Sequence, residues 1–214
     1  SKKAREMLDD AHLETCKIVA SNALDEYLIR DLLMQGAQID TFGVGERLIT
    51  SKSDPVFGCV YKLAAVENEN GTIIPKIKVS ENTAKITNPH FKRVYRLFDN
   101  ESGKALADEL CIHDERISED CPHTIFDPEA TWKTKTLTNF TAKELLVPVF
   151  RGGTCVYEIP PLNAVKAYCA EQVESLWDEV KRFENPHKYY VDLSRRLWDV
   201  KHALLEKNKQ GKPD

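Results

Sequence analysis

The sequence has 214 residues and a formal net charge of −4 at pH 7, and 30% of its residues are charged. This length is enough for one or two domains with a sizeable core, and the acidic balance argues against a nucleic-acid-binding protein. The sequence contains no apolar run of about 18 residues, the length that a membrane span needs, so we expect no membrane contact.

The cellular compartment is predicted from the cysteines. Six of them are spread thinly along the chain, which is too long for a small scaffold held together by disulfides. No secretory signal is recognisable in the sequence. We therefore expect reduced thiols and a cytoplasmic protein.

Residues 1–63 predict an α/β unit. It opens with a helix and continues with a strand at Lys17–Ala20, which should be buried on both faces because it is rich in apolar and β-branched residues. Asp25 and Glu26 place negative charge in the first turn of the next helix, and Gly36 ends that helix. A second strand at Ile39–Phe42 completes one βαβ crossover, so the two strands should be parallel and adjacent.

The turn Gly43-Val44-Gly45 follows the second strand directly. Two glycines let the backbone approach a phosphate closely and aim its N–H groups at it, and phosphate sites of α/β barrels are often built from loops after the last strands. Ser21 and Asn22, at the end of the preceding strand, would lie beside this turn, and Arg47, Ser51 and Lys52 would add donors within reach of it. The alternative is a tight turn that needs glycine only for steric reasons, because a single Gly-x-Gly pattern is weakly specific.

Residues 64–161 predict a β-rich module, because short apolar stretches alternate with turn residues. Turns are expected at Asn68–Gly71, Asp99–Gly103 and Arg151–Gly153. The predicted strands are Tyr61–Val66, Ile73–Val79, Val94–Phe98, Trp132–Thr136, Leu145–Phe150 and Cys155–Tyr157.

Residues 162–214 predict helices followed by a polar tail. Apolar residues recur at helical spacing from Val165 to Val180, and Asn185-Pro186 interrupts the pattern. A final helix is predicted from Tyr189 to Lys207, because leucine and valine residues line one of its sides. The remaining residues, to Asp214, should fray.

Two Cys-x-His pairs, Cys111 with His113 and Cys121 with His123, contain residue types that suit zinc. Their spacing departs from the usual zinc patterns, in which two cysteines lie a few residues apart. The favoured interpretation is an exposed loop in which these residues occur together by coincidence, and a metal site here stays open at this point.

Short segments along nearly the whole chain match one enzyme family, in the order in which the family has them. They are Ala20-Ser21-Asn22, Asp25-Glu26, Gly36-Ala37, Ile39-Asp40, Phe42-Gly43-Val44-Gly45, Arg47-Leu48, Gly58, Val60–Leu63, Lys76–Lys78, Val94–Leu97 and Asn185–His187. The chain therefore resembles the C-terminal part of a nicotinate phosphoribosyltransferase, in particular of the bacterial branch.

The resemblance implies an enzyme that joins nicotinate to phosphoribosyl pyrophosphate, giving nicotinate mononucleotide and pyrophosphate in the salvage of NAD. It implies ATP hydrolysis through a transient phosphohistidine, the use of Mg²⁺, and a homodimer with the active site at its interface. The implied fold is α/β. Residues 1–63 would supply the last strands and helices of an irregular α/β barrel of the type II phosphoribosyltransferase kind, and a β-rich module and C-terminal helices would follow.

The resemblance also assigns residues to the 5′-phosphate of the ribosyl group. The predicted phosphate-binding set is Ser21, Asn22, Gly43, Val44, Gly45, Glu46 and Arg47. Glu46 departs from the family pattern, in which threonine is common and would donate its hydroxyl to the phosphate. A carboxylate beside a phosphate is unfavourable. The resemblance assigns no catalytic residue and no metal ligand within the sequence.

Other parts of the family's active site have no counterpart in the sequence. In the family, an Asp-Ser-Gly-Asp segment that handles ribose and pyrophosphate, the phosphorylated histidine and the residues that grip nicotinate lie upstream of the matched region. We therefore expect a fragment that is inactive by itself. Two alternatives stay open: a phosphoribosyltransferase for nicotinamide or quinolinate, and a non-catalytic interaction module whose helices from Ala164 onward bind a partner.

Overall fold

A computed structural model describes residues 1–209 of the protein. They form two units, Ser1–Val60 and a second that begins at Tyr61 and takes in the rest of the described chain. The predicted division at residues 63 and 161 stays a prediction, and the tail expected to fray lies for the most part outside the described residues. Within residues 1–209 no helix is both long enough and apolar enough to cross a bilayer.

The first unit contains a single βαβ arrangement. Its elements are α1 (Lys2–Asp10), β1 (Val19–Ser21), α2 (Glu26–Met34), β2 (Thr41–Gly43) and α3 (Glu46–Ile49). β1 and β2 are parallel neighbours, with Val19 opposite Thr41 and Ser21 opposite Gly43. This register confirms the predicted parallel pair.

The local sequence explains where α2 begins and ends. Asp25 is its N-cap, and Asp25 Oδ1 accepts a hydrogen bond of 2.8 Å from the backbone N–H of Leu28, which satisfies one of the free donors at the helix start. Gly36 follows the helix with a φ of 74°, a left-handed conformation that glycine adopts without steric cost. The predicted helix and its glycine stop are confirmed.

The expectation that the first strand is buried on both faces is wrong. Val19 is 64% exposed. Among the described residues, β1 and β2 form a two-stranded sheet without further strands beside them. A strand is covered on both faces only where other elements pack against each face, and this sheet is too small to provide that cover.

The second unit contains most of the strands. Its elements are β3 (Ala65–Glu67), β4 (Ile73–Pro75), β5 (Lys92–Asp99), β6 (Ala105–Ile112), β7 (His123–Phe126), β8 (Thr134–Leu137), β9 (Phe140–Glu144), β10 (Phe150–Arg151), β11 (Thr154–Cys155), α4 (Leu162–Glu174), β12 (Val191–Leu193) and α5 (Arg195–Lys209). Four strands form one sheet in the order β12-β6-β5-β9, and β3-β4, β7-β8 and β10-β11 are separate pairs. The chain thus has a mixed α/β fold.

The core of the second unit lies on the four-stranded sheet. β5 and β6 form an antiparallel hairpin, β9 extends it antiparallel to β5, and β12 lies parallel to β6. One buried cluster comprises Tyr95, Leu97, Ala107, Cys111, Ile125, Leu137 and Phe140. A second cluster joins α5 to the sheet through Ile112, Leu193 and Leu197.

The sequence pattern does not predict β6, β7 or β9. β6 carries Asp108 and Glu109 in its middle, so it shows neither a continuous apolar run nor a clean alternation. Both residues are nevertheless buried, with exposures of 8% and 3%. Polar partners from other elements offset the cost of burying these carboxylates. A pattern of neighbouring residues in the sequence cannot show such partners.

The predicted start of the final helix is wrong. Val191–Leu193 forms β12, and α5 begins only at Arg195. The edge of β6 presents backbone groups that need hydrogen-bonding partners, and β12 supplies them. The helical spacing of leucines continues through this segment, so the pattern could not distinguish strand from helix.

Other predicted elements are shorter than expected. The helix that should have reached Val180 ends at Glu174. The strands predicted at 61–66 and 73–79 are confined to β3 and β4, which pair only with each other over three residues. A strand ends where its partner ends, because unpaired backbone groups prefer water or other contacts.

An ion pair lies across the middle of the sheet. Arg96 on β5 donates two hydrogen bonds to Asp108 on β6, from Nε to Oδ1 at 2.8 Å and from Nη2 to Oδ2 at 2.9 Å. The Tyr189 hydroxyl donates to Asp108 Oδ1 at 2.8 Å, and Arg96 Nη1 donates to Gln172 Oε1 at 3.2 Å. The pair therefore joins two strands, α4 and the segment that leads into β12. The hydrogen bonds to Asp108 raise the pKa of Arg96.

Replacing Asp108 with asparagine should destabilise the second unit. The change removes the countercharge of Arg96, whose side chain is only 19% exposed, and breaking a largely buried pair in this way costs about 3 kcal/mol. The free energy of unfolding can be followed by tryptophan fluorescence, because Trp132, Trp177 and Trp198 all lie in this unit.

Asp114→Asn is the matched control for this variant. Asp114 also receives two hydrogen bonds from an arginine, Arg196, at 3.1 and 3.2 Å, but both side chains are more than half exposed. Exposed ion pairs contribute little to stability, so we expect almost no change. Equal losses in the two variants would contradict the importance of burying the Arg96–Asp108 pair.

Candidate functional site

A cavity of about 370 Å³ lies at the carboxyl ends of β1 and β2, and we call it the loop cradle. It is lined by Ser21, Asn22, Ala23, Leu24, Gly43, Gly45, Glu46, Arg47 and Lys52. Every residue of the predicted phosphate-binding set except Val44 is among them. Parallel strands end at the same edge of a sheet, so the loops that follow them meet there.

The backbone of the loop cradle offers free hydrogen-bond donors. The N–H groups of Gly45, Glu46 and Arg47 have no acceptor among residues 1–209. They lie at the start of α3, where the first N–H groups of a helix have no partner inside it. Consecutive free N–H groups can bind an anion such as phosphate.

The loop after β1 has an unusual backbone. Asn22 and Ala23 have φ values of 105° and 47°, in the left-handed region that residues with a side chain seldom adopt. Asparagine tolerates such values better than alanine does. Strained conformations persist where the surrounding structure imposes them, and they are frequent at ligand-binding loops.

The two glycines of the turn have different surroundings. A Cβ on Gly43 would lie 3.2 Å from Ser21 Oγ and 3.3 Å from Ser21 Cβ, whereas a Cβ on Gly45 would meet no atom within 4 Å. The close approach of β1 and β2 therefore favours glycine at position 43, where a Cβ would press against Ser21, and position 45 borders open space in the cradle. Ser21 Oγ donates to the carbonyl oxygen of Gly43 at 3.2 Å, so its single proton is already used within the fold.

The charges of the loop cradle are mixed. Arg47 and Lys52 are cationic, and Glu46 is an exposed carboxylate at the first position of α3. Arg47 Nη1 donates to Oδ2 of Asp25, the residue that caps α2 through its other oxygen. This contact holds the guanidinium at the cradle while its remaining N–H groups stay available for an anion.

Val44 lines a second cavity of about 350 Å³, which shares Arg47 and Lys52 with the loop cradle. There the Ser53 hydroxyl donates to Glu26 Oε1 and lowers the pKa of Glu26. The bond ties the segment that carries Lys52 to α2. The sequence favoured first-turn helix charges for Asp25 and Glu26 over a functional carboxylate pair. It could not show their partners, which are 22 and 27 residues away in the chain.

The described residues contain no cluster of side chains that would hold a magnesium ion without a substrate. Among residues 1–209 no group of three or more histidine, cysteine, aspartate or glutamate residues is placed to hold a metal. Mg²⁺ is bound through carboxylate, phosphate and water oxygens in octahedral geometry. The loop cradle contributes a single carboxylate, that of Glu46.

The two Cys-x-His pairs are not gathered into a metal site within the described chain. Cys111 is buried in the sheet core, where burial raises the pKa of its thiol, and Cys121 is exposed. His113 packs against aromatic rings. His123 Nε2 forms a hydrogen bond of 2.6 Å with Glu109 Oε2, which raises the pKa of His123. Each side chain thus has a separate local environment.

The chain is similar to proteins of one enzyme family. Residues 91–201 match the family model described as the nicotinate phosphoribosyltransferase C-terminal domain. The nicotinate phosphoribosyltransferase of Bacillus subtilis (strain 168) is 40% identical over 209 residues, which cover 98% of this chain and 42% of the relative. That of Dictyostelium discoideum is 35% identical over 201 residues, which cover 90% of this chain and 33% of the relative.

A solved structure supports the fold. The crystal structure of human nicotinic acid phosphoribosyltransferase matches with a TM-score of 0.66 at 23% identity, over 95% of this chain and 36% of the human chain. At this identity the match shows a similar fold. The chain spans less than half the length of the curated relatives named above.

Replacing Gly43 with alanine should loosen the strand pair of the first unit. The new methyl group would lie 3.2 Å from Ser21 Oγ, closer than ordinary van der Waals contact, so β1 has to shift. We expect faster amide hydrogen exchange at Val19–Ser21, since exchange reports local opening.

Gly45→Ala is the control, because a Cβ at that position meets no atom within 4 Å. Its exchange at β1 should equal that of the unchanged protein. If Gly43→Ala also exchanged at the unchanged rate, the close contact between the two strands would not be what requires glycine.

Proposed function

Because the chain belongs to the nicotinate phosphoribosyltransferase family, we propose that it supplies the 5′-phosphate end of an active site that joins nicotinate to phosphoribosyl pyrophosphate. The relatives of B. subtilis and D. discoideum carry the name of this activity. The activity of the whole protein is our proposal, since the chain spans only part of their length. The observation that carries it is the loop cradle, in which free backbone N–H groups, Arg47 and Lys52 surround one cavity.

The role of this chain in the reaction is to position the sugar. The pyridine nitrogen of nicotinate forms a bond to ribose C1, and the bond from C1 to the pyrophosphate oxygen breaks, with its electron pair leaving on pyrophosphate. Positive charge develops on the sugar as the leaving group departs. N–H groups at Gly45–Arg47 would hold the 5′-phosphate at the opposite end, which fixes C1 relative to both groups.

Glu46 limits how the phosphate can be held. Glu46 lines the cradle in which the proposed anion would bind, and like charges at short distance repel. Arg47 and Lys52 offset this repulsion, and because Glu46 is exposed, solvent and salt screen it. The backbone donors contribute regardless of the side chain, so the departure at position 46 weakens the proposed phosphate site without removing it.

The two strands of the first unit would belong to a larger sheet in the proposed enzyme. We propose that β1 and β2 are the last strands of an irregular α/β barrel, as the family resemblance implies. The exposure of Val19, at 64%, supports further elements beside them. ATP and Mg²⁺ would serve the whole enzyme, as the family resemblance implies.

We also propose a homodimer in the cytoplasm. α4 supports an interface on the second unit: its apolar residues Leu162, Val165 and Tyr168 are 80%, 46% and 55% exposed. Exposed apolar residues on one helix favour a covering surface. The same observation favours the alternative of a non-catalytic interaction module, and an activity measurement separates the two.

The full-length protein that contains this sequence should form nicotinate mononucleotide from nicotinate and phosphoribosyl pyrophosphate with ATP and Mg²⁺. Chromatographic detection of the product is the measurement, with nicotinamide and quinolinate as alternative substrates. The 214-residue chain alone should give no product, since it lacks the residues that the family uses for the chemistry. Failure of the full-length protein with nicotinate would overturn the proposal.

The loop cradle can be tested on the chain itself with ribose 5-phosphate, by following amide signals in an NMR titration. The signals of Gly45, Glu46 and Arg47 should shift, with an affinity weaker than micromolar because only one end of the ligand is held. Gly45→Ala should weaken binding several-fold, because its methyl group enters the space beside the free N–H groups.

Gly58→Ala is the matched control for this titration. A Cβ on Gly58 also meets no atom within 4 Å, and Gly58 does not line the cradle. Its affinity should equal that of the unchanged chain. Signals that shift elsewhere but not at residues 45–47 would refute the assignment, and a submicromolar affinity would show a more complete site than proposed.

A further inference from the structure

The second unit contains a cavity of about 480 Å³, which we call the carboxylate pocket. Its walls include the apolar residues Leu106, Ile125, Phe126 and Trp132, the acidic residues Asp127 and Asp192, and the exposed lysines Lys133 and Lys135. The volume lies within the range of small-molecule sites. The pocket shares no residue with the loop cradle.

Asp192 is the residue that distinguishes this pocket. It is 3% exposed, yet its carboxylate receives no hydrogen bond or ion pair from residues 1–209. In the described chain the fully enclosed side-chain polar atom without a partner is His113 Nδ1, so the oxygens of Asp192 open onto the pocket that it lines. A buried carboxylate is normally paired or hydrogen-bonded.

The neighbouring acidic residues already have partners. Pairing of β12 with β6 places Asp192 beside Glu109, and Glu109 Oε2 is bound to His123 Nε2 at 2.6 Å. Asp127 Oδ1 accepts two backbone N–H groups, at 2.9 and 3.2 Å. Asp192 is therefore the buried carboxylate in this pocket that has no partner in the described chain.

The ionised form of Asp192 opposes folding. Burial, together with the charges of Glu109 and Asp127, raises its pKa to about 6, against a smaller opposite effect of Lys188. A group whose pKa is raised in the folded state destabilises the fold as pH rises through that value. Near pH 7.5 the protein carries this cost, and a bound cation would offset it. Costly groups of this kind are frequent at binding sites.

The walls indicate what kind of cation would bind. Ile125 and Phe126 are buried side chains, at 6% and 5% exposure, and Trp132 presents an indole that is 78% exposed. Such surfaces bind apolar or aromatic groups, and aromatic faces attract cations. Arg195 already lies 4.1 Å from the centre of the Phe126 ring, an example of this attraction at the pocket wall.

A bare metal ion fits the pocket less well. Hard cations such as Mg²⁺ and Ca²⁺ require several oxygen ligands. Within residues 1–209 no three acidic, histidine or cysteine side chains are placed to supply them. An ammonium group, by contrast, is satisfied by one carboxylate and water.

We propose that the carboxylate pocket binds a small organic cation, a protonated primary amine on a flat apolar group. The ammonium would donate to the carboxylate of Asp192, and the apolar group would lie against Ile125 and Trp132. This inference goes beyond the proposed function, and it rests on residues of the second unit alone.

Benzylamine is a suitable probe, because it is an ammonium ion on a flat ring at pH 7.5. Calorimetric titration of the 214-residue chain should detect benzylamine binding, and neither benzyl alcohol nor benzoate should bind comparably. Asp192→Asn should weaken benzylamine binding by about tenfold or more, because a charge-assisted hydrogen bond is lost. Trp132→Ala should weaken it several-fold.

Two controls separate binding from folding and from general charge. Asp192→Asn should be as stable as the unchanged protein or more stable at pH 7.5, since it removes the carboxylate that opposes folding. Asp120→Asn removes the same charge at an exposed position that does not line the pocket, and it should bind benzylamine normally.

The proposal has clear contrary outcomes. Equal binding of benzylamine and benzyl alcohol would show an apolar pocket without a role for charge, and unchanged binding by Asp192→Asn would place the cation elsewhere. Binding of Mg²⁺ in competition with benzylamine would replace the organic cation with a metal. None of these outcomes bears on nicotinate mononucleotide formation, so the two proposals fail independently.

Discussion

The second unit depends on the ion pair between Arg96 and Asp108 in the middle of its sheet. Two adjacent strands would otherwise carry opposite charges into an interior that does not solvate them. The bidentate geometry, with bonds of 2.8 and 2.9 Å, neutralises both charges at once. Tyr189 and Gln172 then attach the segment before β12 and the helix α4 to the same point. With that segment held, β12 can pair with β6, and only this pairing places Asp192 beside Glu109.

In the first unit, too, a few contacts arrange the candidate site. Parallel pairing of β1 and β2 brings two loops to one edge, and Asp25 then uses one oxygen to begin α2 and the other to hold Arg47. The candidate phosphate site is therefore a consequence of the βαβ connection, with a few side-chain contacts that fix its cations. The backbone N–H groups at residues 45–47 have no acceptor in the described chain, which leaves them available to an anion.

The parts of the fold that could be predicted are those determined by neighbours in sequence. The βαβ connection, the stop at Gly36 and the gathering of Ser21 and Gly43 follow from local apolar runs and glycines. β6 could not be predicted because its buried charges are tolerated only through partners such as Arg96, 12 residues away. β12 could not be predicted because its leucines continue the helical spacing of α5, whereas pairing with the edge of β6 makes the segment a strand. The unpaired state of Asp192 could not be predicted either, because it depends on whether the surrounding elements place a hydrogen-bond donor or a cation beside its carboxylate.

The burial of Cys111 makes its thiol a chemical probe of opening of the sheet. Of the six cysteines, Cys111 alone is buried, with 2% exposure, and burial raises the pKa of its thiol. Thiolate is the reactive form, so Cys111 stays inert for as long as the core around Leu97 and Phe140 remains closed. Each opening of the sheet would reveal it briefly. The rate of alkylation of Cys111 therefore reports how often the second unit opens. The five exposed thiols react whether or not the core opens.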